Sequence, residues 1–247
     1  MVLMKLEPLG VSLQDILDRH QSVGWHIADI RKIAESLLLA LDCCHKLDIV
    51  HSSIQPSNIF LSASGVISQP TRVSMDARST SWAESPFDVK YVPRLLRCAD
   101  TVKLVHAGNA HTDCRSPESL LRRKCGSPAD VWSLGCTLVE VFTGRVLFSP
   151  DTDKEATLHA MLICQCVGRA PSEMLRGLPK ITEPTLREHL GYLETTGGLR
   201  FRSGARALAQ QLVDEPEFLE LIQTMLKFDP TSRVTAEEAL GSNFIVE

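Results

Sequence analysis

The chain has 247 residues, 44% of them apolar and 23% charged, with 26 basic against 30 acidic side chains for a net charge of −4. This is globular composition, long enough for a sizeable core, and it argues against a disordered chain. The charge balance excludes the global basic field of a nucleic-acid or anionic-membrane binder, and no apolar run approaches the length of a bilayer span.

The first residues, MVLMKLEPLG, lack the charged-then-apolar layout of a secretory signal. Ser12 and Asp15 have the spacing of a capping box and open a short helix over Leu13 to His20. From Trp25 to Leu47, Ile27, Ile30, Ile33, Ala34, Leu37, Leu38 and Leu41 recur at helical spacing, which predicts one buried face. A loop follows, then a short strand at Ile59 to Leu61. Residues 62–100 are rich in Ser, Pro and Arg with weak periodicity, and are expected to be a long, partly disordered surface insertion. Val102 to Val105 is a second short strand.

Ser127-Pro128-Ala129-Asp130 is a strong helix start, with Ser127 as the expected cap and Pro128 at the first helical position. That helix should run to Phe142, with Gly144 placed to end it. Val131, Trp132, Leu134, Leu138, Val139, Val141 and Phe142 surround it on nearly every side, which predicts a helix at the centre of the domain. Further helices are expected at about 155–167, 205–213, 216–227 and 235–240, the last opened by a Thr235/Glu238 capping box. Helix dominates, with a few small strands.

The eight cysteines include the adjacent Cys43 and Cys44 and the pair Cys164 and Cys166, but no CxxC. These spacings argue against a zinc site, and without a secretory signal they predict reduced thiols, as in the cytoplasm or nucleus.

The loop HSSIQPSN, His51 to Asn58, resembles the catalytic loop of eukaryotic protein kinases, His-Arg-Asp-x-x-x-x-Asn. His51, Ser53 and Asn58 fall on its His, Asp and Asn positions. Further blocks follow in the family's order. KLVHAGNA, Lys103 to Ala110, is similar to the strand entering the Asp-Phe-Gly metal motif, with His106 at the metal Asp and Gly108 at the Gly. RSPE, Arg115 to Glu118, resembles Ala-Pro-Glu. SPADVWSLG resembles the central helix of the C-lobe, and FDPTSR its closing helix, whose Arg (here Arg233) pairs with the motif Glu (here Glu118). LEPLGVSLQDIL, RSPESLL, TGRVLF, HAMLICQCVGRAPSEML and GYLETTGGLRF together look like the serine/arginine-rich-protein (SR-protein) kinases, of fungal type.

The resemblance implies a mainly α, kinase-like C-terminal lobe over residues 1–247, with the variable insertion at about 62–100 and the N-lobe absent, since LEPLG looks like the hinge between lobes. In the family, ATP and Mg²⁺ are the cofactors. Phosphoryl transfer rests on positioning and charge neutralisation. The Gly-rich phosphate cover is missing, because none of the 14 glycines forms a GxG pair. Ser53 replaces the acceptor-orienting Asp with a neutral hydroxyl. Gln55 replaces the phosphate Lys and brings no charge. His106 replaces the metal Asp, and imidazole is a poor ligand for Mg²⁺. Losing one preorganised charged group commonly costs about 10² to 10³ in rate. Only six residues, Asn109 to Cys114, separate HAG from RSPE, a short activation segment.

The expectation is a truncated pseudokinase that acts by binding protein, with no cofactor and no metal site of its own. The alternative is an active SR-protein-type serine/threonine kinase whose N-lobe is missing from this chain. Asp130 is expected to hold amides of the catalytic loop, and His51 to brace the turn at Gly108. The implied partner is an Arg/Ser-rich peptide or an N-lobe-like surface, without nucleic acid or membrane. Asp151, Asp153 and Glu155 would dock Arg-rich peptides in SR-protein kinases, but acids at a helix start explain them as well. A lone C-lobe should also expose an apolar face beside Val11 to Leu17 and the 49–60 loop.

Overall fold

The computed structural model describes residues 9–20, 24–61, 66–72, 89–95, 102–105, 116–121, 123–148, 163, 167 and 212–247. The expected site residues His106 and Gly108, the short segment after them and the acids at 151–155 lie outside these. So does most of the helix expected at 155–167, of which Ile163 and Val167 are helical. Of the helix expected at 205–213, only Leu212 and Val213 are described, and they form a bend and a turn.

Helix α1 (Leu13–Arg19) opens on the expected capping box. Ser12 Oγ accepts from the Asp15 amide at 3.1 Å, and Asp15 Oδ2 accepts from the Ser12 amide at 3.1 Å and hydroxyl at 2.7 Å. The Ser12 hydroxyl, then its amide, hold the Asp15 carboxyl below the usual carboxylate range. Helix α2 (Ile27–Lys46) is capped by His26, whose Nδ1 accepts from the Ala28 amide at 3.2 Å. Its buried face is Ile30, Ile33, Ala34, Leu37, Leu38 and Leu41, the predicted periodic set apart from the partly buried Ile27.

A 3₁₀ turn at Pro56–Asn58 leads into β1 (Ile59–Leu61), which pairs antiparallel with β4 (Val102–Leu104), Ile59 opposite Leu104. Between them lie β2 (Val66–Arg72) and β3 (Val89–Leu95), an antiparallel pair in continuous register from Val66↔Leu95 to Arg72↔Val89. The insertion read as partly disordered therefore holds a two-stranded ribbon. Weak periodicity, with Pro70 and Pro93 inside the two strands, hid it.

Helix α3 (Pro117–Leu120) precedes α4 (Ser127–Thr143). Ser127 is not the cap of α4: the helix begins at Ser127, Gly126 is the cap residue, and no side chain caps it. The expected acid of that turn, Asp130, is turned elsewhere. Gly144 ends α4 in the left-handed conformation, φ 73°, with its amide on Glu140 O. Every residue from Asp130 to Val141 is buried, as the all-round apolar pattern predicts. Helices α5 (Pro216–Met225), α6 (Ala236–Leu240) and α7 (Asn243–Val246) complete the described chain, and the Thr235/Glu238 capping box opens α6.

Helix α4 is the axis of the core, packed between α2 and α5. A Cβ at Gly135 would stand 3.0 Å from Leu226 Cδ2, so α4 approaches the end of α5 closely there. Phe142, Phe218 and Phe244 pack in sequence, the first pair edge-to-face and the second tilted, with centroids 5.3 and 4.9 Å apart. At Gly24 a Cβ would collide with the Phe142 carbonyl, because the neighbouring Trp25 amide donates to Val141 O at 2.9 Å. Gly24→Ala should therefore force the backbone apart, at about 3 kcal/mol or more. Thermal melting checks this, and a loss of roughly 5–10 °C is expected for a domain of this size.

Of the apolar face expected beside α1 and the 49–60 loop, Ile49 is 50% exposed, and the described apolar residues of α1 are covered. Leu13, Ile16, Leu17, Ile54 and Ile59 are at most 3% accessible, while Asp15, Asp18 and Arg19 carry the outer side of α1. Segment 9–12 covers β1: the Gly10 amide donates to Leu61 O and the Leu61 amide to Val11 O, both at 3.0 Å. Among the described residues no helix is long and apolar enough to cross a membrane.

Candidate functional site

The loop from Ile49 to Asn58 runs from the end of α2 to β1 and is fixed from outside by one carboxylate. Asp130, 1% exposed, accepts the His51 amide on Oδ2 and the Ser52 amide on Oδ1, both at 2.8 Å. Ser52 sits in the left-handed region, φ 64°, a conformation that costs a non-glycine residue energy unless its surroundings fix it. The two bonds from Asp130 to consecutive amides supply that fixing. A third donor, His45 Nε2 in the last turn of α2, lies 3.0 Å from Oδ2. Sequence reasoning missed His45. A basic residue at a helix C-terminus reads as a partner of the helix dipole, and nothing local shows that it reaches Asp130.

Inside the loop, Asn58 Nδ2 donates to Ser53 O and to Ser53 Oγ, each at 2.9 Å. Ser53 is 2% exposed and Asn58 8%. The Ser53 hydroxyl is therefore an acceptor within the loop. His51 Nδ1 accepts from the Ser53 amide at 3.3 Å. Gln55, half-buried, precedes the 3₁₀ turn, and its carbonyl accepts from the Asn58 amide at 3.0 Å. The Val105 amide donates to Asn58 O at 3.0 Å, so β4 delivers the chain beside Asn58 immediately before position 106.

The loop thus brings together Ser53, Gln55, Asn58 and His51, with Asp130 behind them. Glu118 and Arg233 lie apart, on the far side of α4's first turn. Arg233 Nη1 and Nη2 donate to Glu118 Oε1 and Oε2 at 2.8 and 3.0 Å. The side chains are 0% and 3% exposed. The same guanidinium donates to Pro128 O, twice to Lys227 O and to Phe228 O, and stacks 5.1 Å over the Trp132 ring. The neighbouring Cys125 thiol is pushed up by burial and then by the Glu118 carboxylate, which disfavours a reactive thiolate. The described cysteines, Cys43, Cys44, Cys125 and Cys136, are all free thiols.

The loop offers neutral donors and acceptors rather than charge. Among the described residues no group of three His, Cys, Asp or Glu side chains could hold a metal ion. Asn58 is the residue that the loop resemblance places at the family's Asn position. Its amide nitrogen is committed to Ser53.

Residues 104–245 match the protein kinase domain family, a span that begins beyond the Ile49–Asn58 loop. Serine/threonine-protein kinase AFC2 of Arabidopsis thaliana is 28% identical over 261 residues, covering 96% of this chain and 58% of that protein. The dual specificity tyrosine-phosphorylation-regulated kinase 3 of Rattus norvegicus is 28% identical over 263 residues, covering 99% of this chain and 41% of that protein. Dual specificity protein kinase CLK2 of Mus musculus is 28% identical over 258 residues, covering 98% and 48%. The chain spans about half the length of these relatives. The crystal structure of a kinase domain shares the fold, with a TM-score of 0.76 at 21% identity over 97% of this chain and 72% of that one. The ordered motifs, the kinase-like arrangement of loop, central helix and closing helix, and the family match over more than half of the sequence agree: the chain belongs to the protein kinase domain family.

Proposed function

We propose that this chain is a pseudokinase-type C-lobe, similar to the SR-protein kinases, that works by binding protein rather than by transferring phosphate. The observation that carries the reading is the Asn58–Ser53 pair, in which a neutral hydroxyl at the Asp position is tied at 2.9 Å to the Asn. A serine hydroxyl is not ionised at neutral pH and is a poor proton acceptor. Gln55 adds no charge for a γ-phosphate. Mg²⁺ asks for hard, preferably anionic oxygen, which Ser53 and Asn58 do not supply, so the described residues do not fit the family's metal–nucleotide group. The partner proposed is an Arg/Ser-rich peptide or an N-lobe-like surface, in the cytoplasm or nucleus.

The second reading is an active SR-protein-type serine/threonine kinase, with an N-lobe completing the fold. The fixed loop and the buried Glu118–Arg233 pair favour it, since both preserve a scaffold on which such chemistry could be mounted. Thermal shift with ATP, with and without Mg²⁺, separates the two. The pseudokinase reading expects no shift. Ligand at a hundredfold its Kd would stabilise by about 2.7 kcal/mol, and a Mg²⁺-dependent shift of that size would overturn it. A longer transcript carrying a Gly-rich loop and a strand Lys before Met1 would favour the active reading.

A further inference from the structure

We infer that the N-terminus of α2 is a proton-sensitive junction, in which neutral His26 caps α2 and protonated His26 leaves the cap to pair with Glu215 at the start of α5. His26 closes the first turn of α2 with two groups. Its carbonyl accepts from the Asp29 and Ile30 amides at 2.9 and 3.2 Å, and its ring Nδ1 accepts from the Ala28 amide at 3.2 Å. The ring bond exists in one protonation state only. Neutral imidazole has one donor and one acceptor nitrogen, whereas both nitrogens of imidazolium are donors. Nδ1 is therefore bare, and Nε2 carries the proton, whenever the cap is formed. The other described side-chain caps, Ser12, Asp229 and Thr235, accept on oxygens that keep their lone pairs near neutral pH.

Two opposing fields act on the exposed His26 ring. The first amides of α2 form the positive end of the helix dipole, which disfavours a cation there. The surrounding acids favour one. Asp29, 1% exposed, lies in the same turn, and Asp214 and Glu215 come from the turn that leads into α5. Glu215 is half-buried. It is the cap residue of α5 but makes no side-chain cap hydrogen bond, so its carboxylate is not committed to its own helix. Burial pushes this carboxyl above the usual carboxylate range; the His26 charge opposes that push, Asp214 adds to it and Arg31 opposes it. A charged His26 and a charged Glu215 therefore stabilise each other. The third neighbouring element, the end of α4, meets Gly24 and Trp25 through Val141 to Thr143, none of them charged. It holds the backbone in place, with the Trp25 amide on Val141 O at 2.9 Å, while the ring is free to turn. Protonation removes the acceptor of the Ala28 amide, sets a cation against the dipole and offers Glu215 a donor. All three move the ring from α2 towards α5.

Ring and amide ¹⁵N NMR from about pH 8 to about pH 5, the range that spans imidazole titration, tests this. At the upper end the bare Nδ1 should show a through-hydrogen-bond coupling to the Ala28 amide nitrogen. That coupling should vanish as the ring takes up its proton. In Glu215→Gln the charge that holds the protonated ring is gone, and the midpoint of the change should fall by about half a pH unit or more. In His26→Asn the side-chain oxygen accepts at every pH in the range, so the Ala28 amide shift should stay constant. An absent coupling at about pH 8, a coupling that survives ring protonation, an unmoved midpoint in Glu215→Gln, or an Asn variant whose Ala28 amide titrates as in the parent would each overturn the assignment.

Discussion

Arg233→Ala is expected to lower the unfolding free energy by about 3–5 kcal/mol, because it leaves the Glu118 carboxylate buried without its counter-charge. For a domain of this size that is a fall in melting temperature of roughly 10 °C. Glu118→Ala should cost less. The guanidinium would keep its bonds to Pro128 O, Lys227 O and Phe228 O and its seat over Trp132. Among the described residues the Glu118 carboxylate has no comparable set of further partners. A double-mutant cycle by urea denaturation measures both: the expected result is Arg233→Ala as the worse single change and a coupling energy above about 1 kcal/mol. Equal single losses, or no coupling, would remove the asymmetry argued from those carbonyls.

Asp130→Ala should be comparably severe. It strips the acceptor from the His51 and Ser52 amides and from His45 Nε2. Each buried donor left without a partner costs about 1–3 kcal/mol, and the three share one environment, so a total near 3–5 kcal/mol is expected rather than a simple sum. The left-handed turn at Ser52 should relax, since nothing else among the described contacts fixes two consecutive amides there. Asp130→Asn should fall between, because its amide keeps one oxygen acceptor but turns an N–H₂ towards a donor. Denaturant midpoints of the two variants check the order, and a parent-like midpoint for Asp130→Ala would contradict it.

Features that depend on neighbours within one turn were readable from the sequence. Ser12 with Asp15 and Thr235 with Glu238 are capping boxes because the chemistry spans three residues, and Gly144 is a stop because only the local φ matters. The position of α4 followed from its composition, since a helix apolar on all sides has no face for water. Glu118 and Arg233 were reachable only through their motifs, 115 residues apart. His45 was not reachable, because its role is set by an acid 85 residues away in another helix. The Gly126 start of α4 was misread for the same reason. Asp130 is drawn from its own helix to the loop, and segment 9–12 packs on β1, neither of which a local pattern records. The β2–β3 ribbon escaped because Pro70 and Pro93 demote both strands in any propensity reading.

Those two prolines bear on how the ribbon meets other chains. In the register of Pro70↔Tyr91 and Ser68↔Pro93, neither proline can donate across the ribbon, so both backbone nitrogens face outward. Each outer edge of the pair therefore has a gap in its row of donors, one on β2 and one on β3. A strand arriving from either side would find a missing rung in the backbone ladder. A missing donor on each flank makes both strands poor templates for cross-β pairing between copies.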